Sequence, residues 1–208
     1  MVSRILMKER MYDNIQIMDK PDWVSWDEIH DILWKAHERN RENGIFMRYP
    51  TLSGDEIRKR VEGNGKMLVA VLEGKIVGTS AVIYKEKSLW CGKGMYAYCC
   101  FDSVLPEMQG KGVYKQMCFN REEEARKLSV DRMLLDTNEK NQREINVVTR
   151  NGFKKVSMSD WRDHCNIVFV KWLNCCPYSD FRFKVEFCKS WLYVKMKQKI
   201  RSLFIRIK

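Results

Sequence analysis

The sequence lacks several features that would place it in a specialised class of protein. Eight cysteines are present, but no C-x-x-C pair occurs, so the spacing typical of a zinc site is missing and we expect no metal. No run approaches the roughly 18 apolar residues that cross a membrane. Repeats and low-complexity tracts are also absent. These absences exclude zinc-finger modules, membrane channels and solenoids, and leave a globular chain.

Acidic residues are scarce at the C-terminal end of the chain, so the net charge is distributed unevenly along the sequence. The formal net charge is +11. Residues 182–208 hold nine Lys or Arg against one acid, Glu186, and therefore carry +8 of that total, which leaves +3 for the rest. Hydrophobic residues make up 45% of the 208, enough to bury a core. The sequence thus predicts a nearly neutral body with a basic tail.

The cysteines and the N-terminal segment indicate a compartment. Cys99-Cys100 and Cys175-Cys176 are adjacent pairs and the other four are scattered, so no disulfide framework is evident. The apolar run near the N-terminus is too short for a secretory signal peptide. We therefore expect reduced thiols and a cytoplasmic protein.

Apolar periodicity and turn residues predict an α/β (α+β) domain with a mixed sheet. The predicted strands are residues 14–18, 67–72, 76–84, 95–105, 132–137 and 166–172. Glu73-Gly74-Lys75 is the predicted tight hairpin turn between the second and the third. Helices are predicted to begin after Ser25 and Ser53, each of which has a glutamate three residues on that completes a capping box. Two further helices are predicted over residues 112–128 and 141–151.

A glycine-rich turn, Gln109-Gly110-Lys111-Gly112, stands where a predicted strand gives way to a helix. The first turn of a helix offers unpaired N–H groups and a partial positive charge, and glycines let those groups converge on one anion. Lys111 and Lys115 occupy positions where helices usually carry acids. The pattern predicts a phosphate-binding turn, with a solvated glycine-rich connection as the alternative.

With these elements in order, the chain resembles the GNAT superfamily of N-acetyltransferases. The family's first motif, [QR]-x-x-G-x-[GA] behind a strand ending V-x-P, matches Val104-Leu-Pro106 and the segment from Gln109 to Tyr114. Its second motif, an Asn followed by a Tyr and then Gly-Phe, matches Asn141 and Gly152-Phe153. The resemblance implies a GNAT-like single domain over residues 1–180, with splayed strands and flanking helices, and a basic amphipathic segment over residues 181–208.

The resemblance implies an acyltransferase that moves an acetyl group from acetyl-CoA to an amine without a metal. A backbone N–H near Val104 would polarise the thioester carbonyl, while neighbouring backbone groups pair with the pantetheine arm. The pyrophosphate would lie over the glycine turn. The residues implied to bind the cofactor are Val104, Leu105, Gln109, Gly110, Lys111, Gly112, Val113, Tyr114 and Asn141.

Two positions depart from the family pattern. Tyr114 stands where a small residue is usual, and Val148 stands where the family's tyrosine protonates the leaving thiolate. Because valine cannot donate a proton, a catalytically weak or inactive acetyl-CoA-binding sensor is the alternative to an active enzyme. Asp102, near the end of the long strand, is the candidate general base, and a solvated carboxylate at a strand end is the other interpretation.

The acceptor is expected to be a small molecule or an amino sugar rather than a protein. The loops around residues 46–49 and 160–164 occupy the places where the family builds its acceptor pocket, with ordinary loop packing as the alternative. Their candidate residues are Arg48, Tyr49, Trp161, Arg162, Asp163 and His164. His30 and His37, seven residues apart on one helix face, are predicted to be at the surface or half-buried.

The basic tail alternates apolar and basic residues at helical spacings, which predicts an amphipathic helix. Three interpretations are open: its apolar face packs on the domain, it lies peripherally on the anionic inner surface of a membrane, or it binds nucleic acid. The last is least expected, because the nearly neutral body offers no continuing groove of positive charge. A membrane- or nucleic-acid-associated interaction protein is therefore a further alternative function, and the oligomeric state is open, a dimer included.

Overall fold

The described chain consists of residues 14–128, 130–161 and 164–206 of a computed structural model, with the side chains of residues 203–206 left aside. Outside these residues lie two candidate acceptor residues, Arg162 and Asp163, the tail residue Ile207, and the N-terminal segment that was considered for a signal peptide. The chain divides into two compact units. The first unit consists of the chain up to Lys85 together with Ala97–Val130. The second consists of Glu86–Tyr96 together with the chain from Asp131 onward. The boundary at residue 181 stays a prediction.

The described residues of the first unit form four neighbouring strands and four α-helices. The strands follow the order β1-β2-β3-β4, and the pairs β1–β2 and β2–β3 are antiparallel. The strands are β1 (Gln16–Asp19), β2 (Gly65–Leu72), β3 (Lys75–Leu89) and β4 (Gly92–Val104), of which residues 86–96 belong to the second unit. The helices are α1 (Trp26–Ala36), α2 (Glu38–Glu42), α3 (Gly54–Val61) and α4 (Val113–Lys127), and Tyr49–Thr51 and Pro106–Met108 form 3₁₀ turns.

Local hydrogen bonds fix the ends of these elements as predicted. Ser25 and Glu28 form a reciprocal capping box at the start of α1, and Ser53 and Glu56 form one at the start of α3. Glu73 and Gly74, with φ of 51° and 73°, make the tight turn between β2 and β3. Each of these signals acts over a few residues, which is why the sequence alone located them.

Alternation along the strands gives the first unit an apolar layer on each face of its sheet. Val69 and Val71 face α1 and α3, whereas Ala70 between them faces α4. The first layer includes Ile29, Leu33, Ile57, Val61, Ile83 and Phe101, and the second includes Val77, Val104, Met108, Val113 and Met117. The long strand β4 thus carries the residues before the glycine turn through the core.

In the part of the second unit that the structure describes, there are three further antiparallel strands and two helices. They are β5 (Arg132–Asn138), α5 (Gln142–Arg150), β6 (Lys154–Asp160), β7 (Cys165–Trp172) and α6 (Asp180–Arg206), and β7 lies between β5 and β6. The α/β class is confirmed, but the prediction of six strands was wrong, because it omitted β6. Only Val156 and Met158 are buried in that strand, and its polar neighbours hide the signal.

The basic tail forms the long helix α6, as predicted, and one of its faces packs against β6. Phe183 and Val194 are buried, and Ser190 accepts a hydrogen bond of 2.9 Å from the Met158 backbone N–H. Ion pairs add to this contact, with Lys195 2.9 Å from Glu139 and Arg201 2.9 Å from Asp160. The interpretation that the tail packs on the body therefore holds for this face.

Candidate active site

The end of β4 leads directly into the predicted cofactor turn, all within the first unit. The Leu105 N–H donates to the Val77 carbonyl at 3.0 Å, and the Gln109 side-chain amide donates to the Val104 carbonyl at 3.0 Å. Gln109 thus closes the loop on the strand that precedes it. Pairing of these two backbone groups with a pantetheine arm would require them to exchange partners.

Two glycines of the turn adopt a conformation that side chains disfavour. Gly110 has φ of 77° and Gly112 has φ of 82°, both in the left-handed region. A Cβ added at either glycine would meet no described atom within 4 Å. The backbone therefore requires glycine here, and open space lies above the turn where a ligand could approach the chain.

Helix α4 begins at this turn without the side-chain caps that α1 and α3 have. Its N-cap is Gly112, which has no side chain to bond the first turn, and that turn holds Lys115 but no acid. The first turn of a helix presents N–H groups that have no intrahelical acceptor, and the helix dipole favours an anion there. The Tyr114 ring lies 5.7 Å from the guanidinium carbon of Arg121, two turns further along α4. Tyr114 therefore packs along α4.

Phe101 marks a strained point in β4 that the sequence did not reveal. It has φ of 56°, rare for a bulky residue, and its side chain is buried in the core. The Thr79 hydroxyl holds its carbonyl at 2.9 Å. Such backbone strain costs about 1–3 kcal/mol and occurs preferentially at functional sites. The strain therefore singles out the stretch of β4 just before Val104.

Asp102 does not project into solvent from the strand end. It forms an ion pair with Arg121 of α4, whose side chain is 1% exposed, and it accepts a hydrogen bond of 2.6 Å from Ser80. The interpretation of a solvated carboxylate is therefore wrong. Asp102 neutralises a buried guanidinium, and its role as general base stays a prediction.

His37 contacts the same stretch of β4. Its Nε2 lies 3.1 Å from the hydroxyl of Ser103, the residue before Val104, and its Nδ1 lies 3.1 Å from the side-chain amide of Asn40. Burial lowers the pKa of His37 below its ordinary 6.5, against the opposite effect of the Asp102 carbonyl and charge. The imidazole is therefore neutral at neutral pH. Position alone predicted a half-buried side chain but not its partner.

The lowered pKa of His37 makes acid stability testable. The unfolded chain binds the proton more readily than the folded one, so stability is present above pH 6.5 and is lost as pH falls through the folded pKa. We expect His37→Gln to reduce the difference in unfolding free energy between about pH 7 and about pH 5 in urea titrations. His30→Gln on the same helix is the control. A His37→Gln variant with unchanged acid sensitivity would contradict this assignment.

The two acceptor candidates of the first unit lie near this part of β4. The Tyr49 hydroxyl is 2.6 Å from that of Tyr98, and the Tyr49 ring centre is 4.6 Å from that of Phe101. Arg48 precedes Tyr49 in an exposed turn, where its carbonyl accepts from the Thr51 hydroxyl at 2.7 Å. Tyr49 is thus fixed beside the strained residue, and Arg48 is at the surface.

The remaining candidates belong to the second unit. Asn141 is 5% exposed and caps α5 by accepting from the Glu144 N–H at 3.3 Å. Trp161 and His164 stack with ring centres 6.2 Å apart, and the backbone N–H of Trp161 donates to the backbone carbonyl of His164 at 2.9 Å. Their predicted contacts with cofactor and acceptor stay predictions. Among the described residues, no three His, Cys, Asp or Glu side chains form a group that could hold a metal.

The position that should supply an acid to the thiolate lies on α5. Val148 is 1% exposed, and the neighbouring Thr149 hydroxyl donates to the Ile145 carbonyl at 2.7 Å. The Thr149 hydroxyl therefore donates its hydrogen bond within α5, and it does not replace the tyrosine as a proton donor to the thiolate.

The sequence matches the Acetyltransferase (GNAT) family over residues 26–153, more than half of the chain. The chain belongs to the GNAT acetyltransferase family. The match runs from the first residue of α1 to Phe153, and it therefore includes β4, the glycine turn and Asn141. This GNAT protein finds no match among curated proteins by sequence.

Solved structures agree with the fold of this GNAT protein. An acetyltransferase from Streptococcus agalactiae is 18% identical, with a TM-score of 0.60 over 76% of this chain and 98% of its own. A GNAT acetyltransferase from Staphylococcus aureus is 15% identical, with a TM-score of 0.61 over 77% and 99%. A PaiA N-acetyltransferase from Thermoplasma acidophilum, solved with coenzyme A, is 15% identical, with a TM-score of 0.55 over 76% and 98%. At these identities the likeness supports the fold alone.

Proposed function

We propose that this GNAT protein transfers an acetyl group from acetyl-CoA to the amine of a small acceptor, such as an amino sugar. The observation that carries the proposal is the uncapped glycine turn at the start of α4. Its left-handed glycines, the open space above it and the N–H groups of the first helical turn suit a pyrophosphate. A fold neighbour from Thermoplasma acidophilum was solved with coenzyme A, which supports that choice of ligand.

The chemistry requires that the amine lose a proton before it attacks the thioester carbon. The carboxylate of Asp102 is held in an ion pair with Arg121, whereas the neutral imidazole of His37 is hydrogen-bonded to the uncharged side chains of Asn40 and of Ser103, the residue before Val104. We therefore favour His37 over Asp102 as the proton acceptor. The leaving coenzyme A thiolate then takes a proton from water, since Val148 has none to give.

A binding-only sensor is the second candidate function. The buried Val148 and the internally bonded Thr149 favour it, because neither offers the acid that this family usually places there. Such a protein would still bind acetyl-CoA through the glycine turn. The two functions therefore differ in thiol release and not in cofactor affinity.

A thiol-release assay over a panel of amines separates the two functions. We expect free coenzyme A to appear with at least one amine above the rate without acceptor, and the His37→Gln variant to lower kcat/KM for that amine by about 100-fold or more. Calorimetric titration with acetyl-CoA is run in parallel. Binding without thiol release for any amine would favour the sensor, and absence of binding would overturn both functions.

A further inference from the structure

Helix α6 is apolar on two opposite faces, and only one of them packs against the body. Phe183 and Val194 are 4% and 3% exposed on the packed side. On the other side, five large apolar residues are exposed by between half and three quarters: Phe181 75%, Leu192 53%, Tyr193 68%, Met196 64% and Ile200 51%. At about 100° per residue these five fall within a stripe about 120° wide, opposite the packed side. We call this stripe the outer face of α6.

The outer face is larger than the scattered apolar residues of an ordinary surface. It extends from Phe181 to Ile200, about 28 Å along the helix axis at about 1.5 Å per residue. Four of its five residues lie between Leu192 and Ile200, within about 12 Å along the axis, and exposed apolar residues gathered in this way mark binding surfaces for proteins or membranes. Because α6 has apolar residues on two opposite sides, the helix as a whole does not divide into one apolar and one polar face.

The charges around the outer face are positive. Arg182, Lys189 and Lys199 lie within the stripe by helical angle and are exposed, and the Arg182 guanidinium lies over the rings of Trp90 and Tyr178. The two acids of the helix are already paired, Asp180 with Lys154 at 2.9 Å and Glu186 with Lys189 at 3.0 Å. Long basic side chains can lie along an apolar surface and keep their charges at its edge. Because Glu186 neutralises Lys189, Arg182 and Lys199 supply the excess positive charge of the outer face.

This combination fits an anionic lipid surface better than a second copy of the chain. Two outer faces packed together would bring their cations into opposition, and like charges at an interface are unfavourable. An anionic bilayer surface instead attracts each Lys or Arg and takes the apolar stripe into the headgroup boundary. None of the helices in the described ranges is long and apolar enough to cross a membrane. A helix lying in the membrane plane is the arrangement consistent with these facts.

We propose that the outer face of α6, formed by Phe181, Leu192, Tyr193, Met196 and Ile200, binds the surface of an anionic lipid membrane. The packed face of α6 keeps the helix on β6, so binding does not require the helix to leave the body. The inference is independent of the proposed acetyl transfer, because it depends on α6 alone.

Co-sedimentation of the full chain with vesicles tests the proposal. We expect binding to phosphatidylcholine vesicles that contain phosphatidylglycerol, little binding to phosphatidylcholine alone, and weakening at high salt. The Leu192→Gln/Met196→Gln double variant should lose at least about tenfold in affinity, because it removes two apolar side chains from the contact. Both residues are exposed, so the fold should persist, which circular dichroism checks.

A matched double variant, Phe119→Gln/Leu128→Gln, removes two equally exposed apolar residues from the first unit. It should leave vesicle binding unchanged. Three results would overturn the proposal: no binding to anionic vesicles, equal loss in both double variants, or a dimer in light scattering that the α6 variant dissociates. The last would assign the outer face to a second copy of the chain.

Discussion

Replacing Asp102 with asparagine is expected to lower the free energy of unfolding by about 3–5 kcal/mol, the cost of leaving a buried charge without its partner. Arg121 is 1% exposed, stays charged at any accessible pH, and has Asp102 as its ion-pair partner. The amide of asparagine keeps the shape of the side chain but not its charge. Urea titration monitored by circular dichroism measures the loss, which is a large part of the stability of an ordinary domain.

A matched control uses an ion pair at the surface. Glu86 lies 3.3 Å from Lys93, with side chains that are 62% and 72% exposed. Glu86→Gln should cost less than about 1 kcal/mol, because water screens the pair. The double variant Asp102→Asn/Arg121→Met should recover part of the loss, since it removes the buried charge itself. If Asp102→Asn costs no more than Glu86→Gln, the buried ion pair does not stabilise the fold as proposed.

The same pair shows what the sequence could and could not predict. Capping boxes and the Glu73-Gly74 turn act within a few residues, and they were located correctly from the sequence. Asp102 and Arg121 are 19 residues apart, on a strand and a helix. Nothing local distinguishes a buried arginine on a helix from an exposed one. The pairing is decided by how α4 packs on the sheet.

The candidate site divides in the same way. The two glycines and the order of the motifs located the turn from Gln109 to Gly112 in the sequence. The structure gives the reason, because both glycines have left-handed backbone angles that favour glycine. The contact of His37 with Ser103 joins residues 66 apart, and the strain at Phe101 is imposed by its surroundings. Strand β6 was missed for a related reason: its burial depends on α6 and β7, and only two of its residues are apolar enough to show it.

The glycine turn yields the prediction that bears most directly on function. Gly112→Leu should weaken acetyl-CoA binding by about 100-fold or more. A side chain there would enter the open space above the turn and block several charge-assisted hydrogen bonds from backbone N–H groups to phosphate. Calorimetric titration with acetyl-CoA measures the change. Because φ is 82°, the leucine also strains the backbone by about 1–2 kcal/mol, so lower stability is expected as well.

A control variant at a second glycine with similar backbone geometry distinguishes the effect of backbone strain from the loss of contacts with the phosphates. Gly74, in the turn between β2 and β3, has φ of 73°, and a Cβ there would also meet no described atom within 4 Å. Gly74→Leu should therefore lower the melting temperature about as much as Gly112→Leu does, while acetyl-CoA binding stays as in the unmodified chain. Equal binding by the two variants would mean that the turn before α4 does not hold the pyrophosphate. Loss in Gly112→Leu alone would place the phosphate groups at the first N–H groups of α4, where the dipole and the missing cap favour an anion.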